Sequence, residues 1–139
     1  MNRIDLTLSR TIKAKPEEVF DVWLDTRSPG GPWFGCERVI LQPVVDGLFY
    51  HGVRHEGRMW AHYGRFIRLE RPRLIEHTWV SEATRGIETI VTLDIAPRGD
   101  ETALTLRHSN VPDDAMGRRH EEGWTFVLSA IAGRLHGEG

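Results

Sequence analysis

Residues 119–135, RHEEGWTFVLSAIAGRL, crowd a histidine, two glutamates and a tryptophan into the head of a helical pattern. A zinc-hydrolase helix carries two histidines four residues apart, with a glutamate between them as general base. Here the position four after His120 is Trp124, so the second ligand is missing and the metalloprotease reading fails on spacing. The other reactive pairs fail on geometry. Ser109 follows His108, and His77 follows Glu76, in runs that read as strands, where neighbouring side chains point to opposite faces. Cys36 follows Gly35 with no positioned base and reads as a buried structural thiol. No nucleophile elbow, phosphate-cradling glycine loop or dinucleotide fingerprint is present. Catalysis therefore reduces to one histidine acting as general base, with His51, His77, His108 and His120 as candidates. As a metal cluster these four lack a repeated ligand spacing and come from separate elements, so neither metal nor cofactor is expected.

The elements that must position these groups are legible from periodicity. Residues 3–13 alternate with Ile4, Leu6, Leu8 and Ile12 on one parity, which predicts a strand. Pro16 and the acids Glu17 and Glu18 then open a helix whose Val19, Phe20, Trp23 and Leu24 form an apolar face. SPGGPWFG (28–35) reads as a loop with one further helical turn. Strand-like runs follow at 37–44, 48–55, 60–70, 74–80, 87–97 and 101–109, with turns at Asp46-Gly47, Glu56-Gly57, Arg71-Pro72 and Arg98-Gly99-Asp100. A last helix runs from the segment after Val111-Pro112 to about Leu135. Strands joined by short turns pair antiparallel, and their apolar face needs a cover that only the final helix is long enough to provide. The class is α+β, in one domain spanning 1–139.

Strand parity says which side chains face that cover. Phe49, His51 and Val53 share a phase, as do Ile75, His77 and Trp79, then Thr89, Val91, Leu93 and Ile95, then Leu104, Leu106 and His108. In 60–70 two phases compete, Trp60, His62 and Phe66 against Tyr63, Ile67 and Leu69; a bulge near Gly64 would reconcile them. On the last helix His120, Trp124, Val127, Leu128, Ile131 and Leu135 form one stripe, flanked by a small-residue strip at Gly123 and Ala130 for close approach of a neighbouring backbone. Phe126 stands opposite and is assigned to the first strand or a second subunit.

Composition narrows the function classes. A formal net charge of −2 offers nucleic acid no footprint, and no apolar run spans a membrane. A single cysteine and the absence of a signal-like N-terminus point to the cytoplasm.

Four stretches carry a family resemblance: KAKPEEVFDVW, YGRFIRLERPRLIEHTW, IVTLDIAPRGDETALTLRHSNVP and HEEGWTFVLSAIAGRL. Over about residues 3–135 the chain resembles the SRPBCC (START/Bet v 1-like) superfamily, within it the group similar to the C-terminal domain of Hsp90 ATPase activators. The resemblance implies a helix-grip fold: a curved antiparallel sheet wrapped around a long C-terminal helix, two short helices after the first strand, and a cavity between sheet and helix. It implies a small apolar or aromatic ligand there. Because only that one domain of the activators is resembled, Hsp90 contact is not expected.

Parity and resemblance together nominate Trp33, Phe49, His51, Trp60, His77, Trp79, Thr89, His108, His120, Trp124 and Leu128 as ligand-binding residues. Apolar walls with a few polar groups are the usual composition of a small-molecule site. The competing readings are a cyclase- or hydrolase-like enzyme using a cavity histidine, and a protein-interaction module. A homodimer is a further expectation, from Phe126 and the 28–35 loop.

Overall fold

A computed structural model describes residues 2–25 and 36–136. Strand β1 (Arg3–Ile12) leads into helix α1 (Pro16–Trp23), and then come β2 (Arg38–Leu41), β3 (Leu48–His55), β4 (Arg58–Glu70), β5 (Leu74–Ser81), β6 (Thr89–Arg98) and β7 (Glu101–Pro112). The chain finishes with a short α2 (Ala115–Arg118) and a long α3 (His120–Leu135). All pairings are antiparallel, and the seven-stranded sheet has the order β1-β7-β6-β5-β4-β3-β2. The second short helix expected after β1, and Trp33 with it, fall outside the described residues.

Local chemistry explains the joints. Pro16 opens α1, and the Lys15 amide donates to the Glu18 carboxylate at 3.1 Å. Glu56 and Gly57, both in the left-handed region, make the two-residue turn between His55 and Arg58. Arg71, in the β4–β5 turn, grips Asp21 of α1 through two bonds of 2.9 Å.

The first of the competing phases in β4 holds as far as Phe66, and a bulge then passes the inner face to the second only at its end, Tyr63 being 50% exposed. Register shifts between Phe66 and Arg68, so Trp60, His62 and Phe66 share the inner face before the bulge and Leu69 regains it afterwards. The bulge lies beyond Gly64, where it was expected. Gly64 has a different duty: a Cβ there would stand 2.3 Å from the Thr78 carbonyl and 2.6 Å from the ring of Phe49, its partner across the β3–β4 ladder.

The concave face of the sheet is buried under α1 and α3. Ile75, Val91, Leu93, Ile95, Leu104 and Leu106 meet Trp124, Leu128, Ile131 and Ala132 of α3 and Val19, Phe20 and Trp23 of α1. Two bonds pin α3 to the start of the chain: the Lys13 amide donates to His136 Nε2 at 2.8 Å, and Arg10 donates to Ser129 at 3.2 Å. The helix stripe is as periodicity predicts, but its flanks differ. Gly123 meets no neighbouring backbone, because a Cβ there has nothing within 4 Å. Phe126 is 64% exposed. Among the described residues no helix is long and apolar enough to cross a membrane.

Candidate functional site

Toward the start of α3 the core stops short of filling the space beneath the helix. A cavity of about 440 Å³ opens there, within the range of about 300–1,000 Å³ typical of small-molecule sites. Its floor is His51 and Val53 of β3, His62 of β4 and Trp79 of β5; its roof is Met116 of α2, Arg119, and His120, Gly123, Trp124, Phe126 and Val127 of α3. Cys36 and Ala83 complete the described wall. Asp114 holds the roof down: its carboxylate accepts from the Gly117 amide at 2.7 Å, capping α2, and pairs with Arg85 at 2.7 Å.

One buried relay fixes the inner wall. The Trp124 indole can only donate, so His108 Nδ1 accepts at 2.9 Å. The neutral ring therefore carries its proton on Nε2 and donates to Thr89 Oγ1 at 2.7 Å, and the Thr89 hydroxyl donates to the Trp79 carbonyl at 2.5 Å. Every bond in this chain runs one way. Burial, then the neighbouring His120 and His77, depress His108 to a pKa of about 2, and its one bare nitrogen is already occupied. His108 is thus a strut and a poor candidate for general base.

His77 is also sealed. Its Nδ1–H donates to the Thr78 carbonyl at 2.8 Å, the Phe49 ring stands edge-on at 4.7 Å, and burial lowers its pKa to about 4.

The cavity imidazoles are different. His62 Nδ1 donates to the His51 carbonyl at 3.3 Å, and His120 Nδ1 donates to the Gly117 carbonyl at 2.8 Å, since carbonyls only accept. In each neutral ring that leaves Nε2 as an acceptor with no protein partner among the described residues, on a ring that lines the cavity. Burial lowers the pKa of both, and lowers that of His51 well below its ordinary value with help from His77 and His62. Among the described residues no three His, Cys, Asp or Glu side chains converge as a metal would require.

Of the residues nominated from sequence, the structure puts His51, Trp79, His120 and Trp124 on the wall. Phe49, His77, Thr89, His108 and Leu128 lie behind it as buried support. Trp60 is off the described wall, with the Arg58 guanidinium 4.1 Å above its ring. Cys36 is half-buried on the wall rather than enclosed in the core, and burial pushes its thiol pKa up. Members not nominated are Val53, His62, Ala83, Met116, Arg119, Gly123, Phe126 and Val127. His62 was visible as one of two competing phases in β4; nothing in the periodicity marked Met116 or Arg119.

Residues 13–136 match the family model described as Activator of Hsp90 ATPase homolog 1-like protein. The chain belongs to that family. No curated protein matches it. Among solved structures it is similar to the AHSA1 protein of Silicibacter pomeroyi, at 28% identity and a TM-score of 0.74 over 98% of this chain and 100% of that one. It is also similar to the Aha1 dimer of Colwellia psychrerythraea, at 18% identity and a TM-score of 0.73 over 98% and 99% of the two chains. Ara h 8.0201 superposes with a TM-score of 0.78 at only 8% identity, over 99% of this AHSA1-like chain and 100% of its own. The helix-grip architecture of the SRPBCC superfamily, inferred from the quoted stretches, is thereby established for this AHSA1-like domain.

Proposed function

We propose that this AHSA1-like domain binds a small apolar or aromatic molecule in the cavity beneath the head of α3. The observation that carries the reading is the cavity itself: about 440 Å³ walled largely by indole, aliphatic and thioether groups, with a few imidazoles to orient a ligand. Gly123 supports it. A mid-helix glycine destabilises by roughly 0.5–1 kcal/mol relative to alanine, and here it stands beside open space on the cavity wall. Apolar burial of the ligand supplies affinity at about 25 cal/mol per Å², less ordering costs. Native mass spectrometry of freshly purified protein tests this directly, with titration of apolar probes against Trp79 and Trp124 fluorescence as the second arm. Saturable quenching that Gly123→Leu abolishes is the expected result; a probe series that quenches neither protein counts against the reading.

The bare Nε2 atoms of His62 and His120 favour one second reading, a cavity enzyme in which either ring takes a proton from a bound substrate. Turnover of a co-purified ligand that survives both His62→Phe and His120→Phe would remove it. Homodimerisation is supported by the dimeric relative and by exposed Phe126; sedimentation of wild type against Phe126→Ser reads it out. The single cysteine supports a cytoplasmic setting.

A further inference from the structure

Binding of an apolar molecule leaves open which molecules are refused. The described wall carries one formal charge, the guanidinium of Arg119, and no carboxylate. Other arginines near the roof are neutralised: Arg118 pairs with Asp113 at 2.6 Å and Arg85 with Asp114 at 2.7 Å. Arg119 makes no side-chain hydrogen bond or ion pair among the described residues, although Glu121 and Glu122 follow closely in sequence. It stands at the exposed rim beside Met116 and Phe126, which are 36% and 64% exposed. Deeper in, His62 and His120 line the described wall with Nδ1 tied to a carbonyl and Nε2 left as an acceptor. Burial keeps both rings neutral at ordinary pH.

We propose, resting on the cavity-binding reading above, that the ligand is an aromatic or alicyclic weak acid whose carboxylate meets Arg119 and whose inner hydroxyl or N–H donates to His62 or His120. An anion fits the one unmatched charge, because a guanidinium presents paired donors that suit a carboxylate. A donor fits the interior, because two fixed acceptors left facing apolar surface lose their water without replacement. A cationic ligand fails at Arg119, and a ligand without a donor fails at His62 and His120.

Isothermal titration with four probes tests this: hydroxynaphthoic acid, its methyl ester, naphthoic acid and methylnaphthalene. Hydroxynaphthoic acid should bind about fivefold tighter than its ester, as one rim ion pair supplies. Arg119→Gln, a change at an exposed position, should bring that ratio close to one, and added salt should shrink it in the wild type. The preference for hydroxynaphthoic over naphthoic acid should fall in His62→Phe with His120→Phe. Equal binding of acid and ester, unaltered by Arg119→Gln, would overturn the weak-acid assignment while leaving the apolar cavity standing. If methylnaphthalene and the three others all fail to bind, the cavity-binding reading falls and this inference with it.

Discussion

Four imidazoles pack around Trp79, with His120 against His108 beyond them, and the surroundings of each decide its role. His108 has both nitrogens engaged, so replacing it strands the Trp124 indole N–H inside the core. An unpaired buried donor costs about 1–3 kcal/mol, and His108→Leu should lose that much in chemical denaturation although its volume is nearly kept. Acid acts on the same group of rings. An imidazole that titrates near 6.5 when unfolded and at about 4 or about 2 when folded, as in His77 and His108, binds its proton more readily in the unfolded chain. Their contribution is fully present above pH 6.5 and is lost progressively as pH falls toward the folded values. Each such ring adds a slope of about 1.4 kcal/mol per pH unit in that window. Denaturation midpoints from pH 7.5 down to pH 4.5 should therefore fall steeply on the acid side, less steeply in a His77→Phe variant that still folds. A flat profile would contradict the sealed, neutral state assigned to these rings. Sequence parity placed His51, His77 and His108 on the inner face, but alternation says only which side of the sheet a ring occupies. Whether it touches a void or plugs it depends on cross-strand neighbours.

Within single elements, glycine separates packing from vacancy. A methyl group at Gly64 collides with the Thr78 carbonyl and the Phe49 ring, so Gly64→Ala should cost about 1–3 kcal/mol through overpacking. At Gly123 the same methyl meets nothing, and Gly123→Ala should raise stability by about 0.5–1 kcal/mol through helix propensity. The two changes are chemically identical and opposite in sign; paired urea curves decide both. Asp114→Ala should cost about 1 kcal/mol by uncapping α2. Sequence gives Gly64 a bulge and Gly123 a close backbone approach, whereas the close approach belongs to Gly64 and Gly123 borders open space. The position of the β4 bulge was similarly out of reach. Two conflicting phases announce that a slip exists, but Phe66 and Arg68 mark its place only once β5 is paired against them. Element order, by contrast, was legible almost throughout, because alternation, proline and left-handed turn residues act locally.

For the molecule as a whole, a void under one end of the helix couples occupancy to stability. A ligand at a hundred times its dissociation constant stabilises the fold by roughly 2.7 kcal/mol, which for a domain of this size raises the melting midpoint by a few degrees. Differential scanning fluorimetry with saturating hydroxynaphthoic acid should show that rise, and Gly123→Leu should melt at the same temperature with or without it. Fold class and family emerged from the sequence because the four matching stretches lie on load-sharing elements. The rim did not, since Met116 and Arg119 belong to a short helix and its junction, where three-dimensional placement owes nothing to periodicity.

The one-way wiring from Trp124 through His108 and Thr89 to the Trp79 carbonyl bears on how a guest gets in. An indole nitrogen gives a proton and never takes one, so the series has no mirror-image arrangement into which it can flip. Swinging the long helix outward would break it at the first link and leave a buried ring nitrogen with no donor. On the proposed reading, entry past the exposed Met116 and Phe126 side chains leaves this wiring intact, with the helix behind them bolted to its strands.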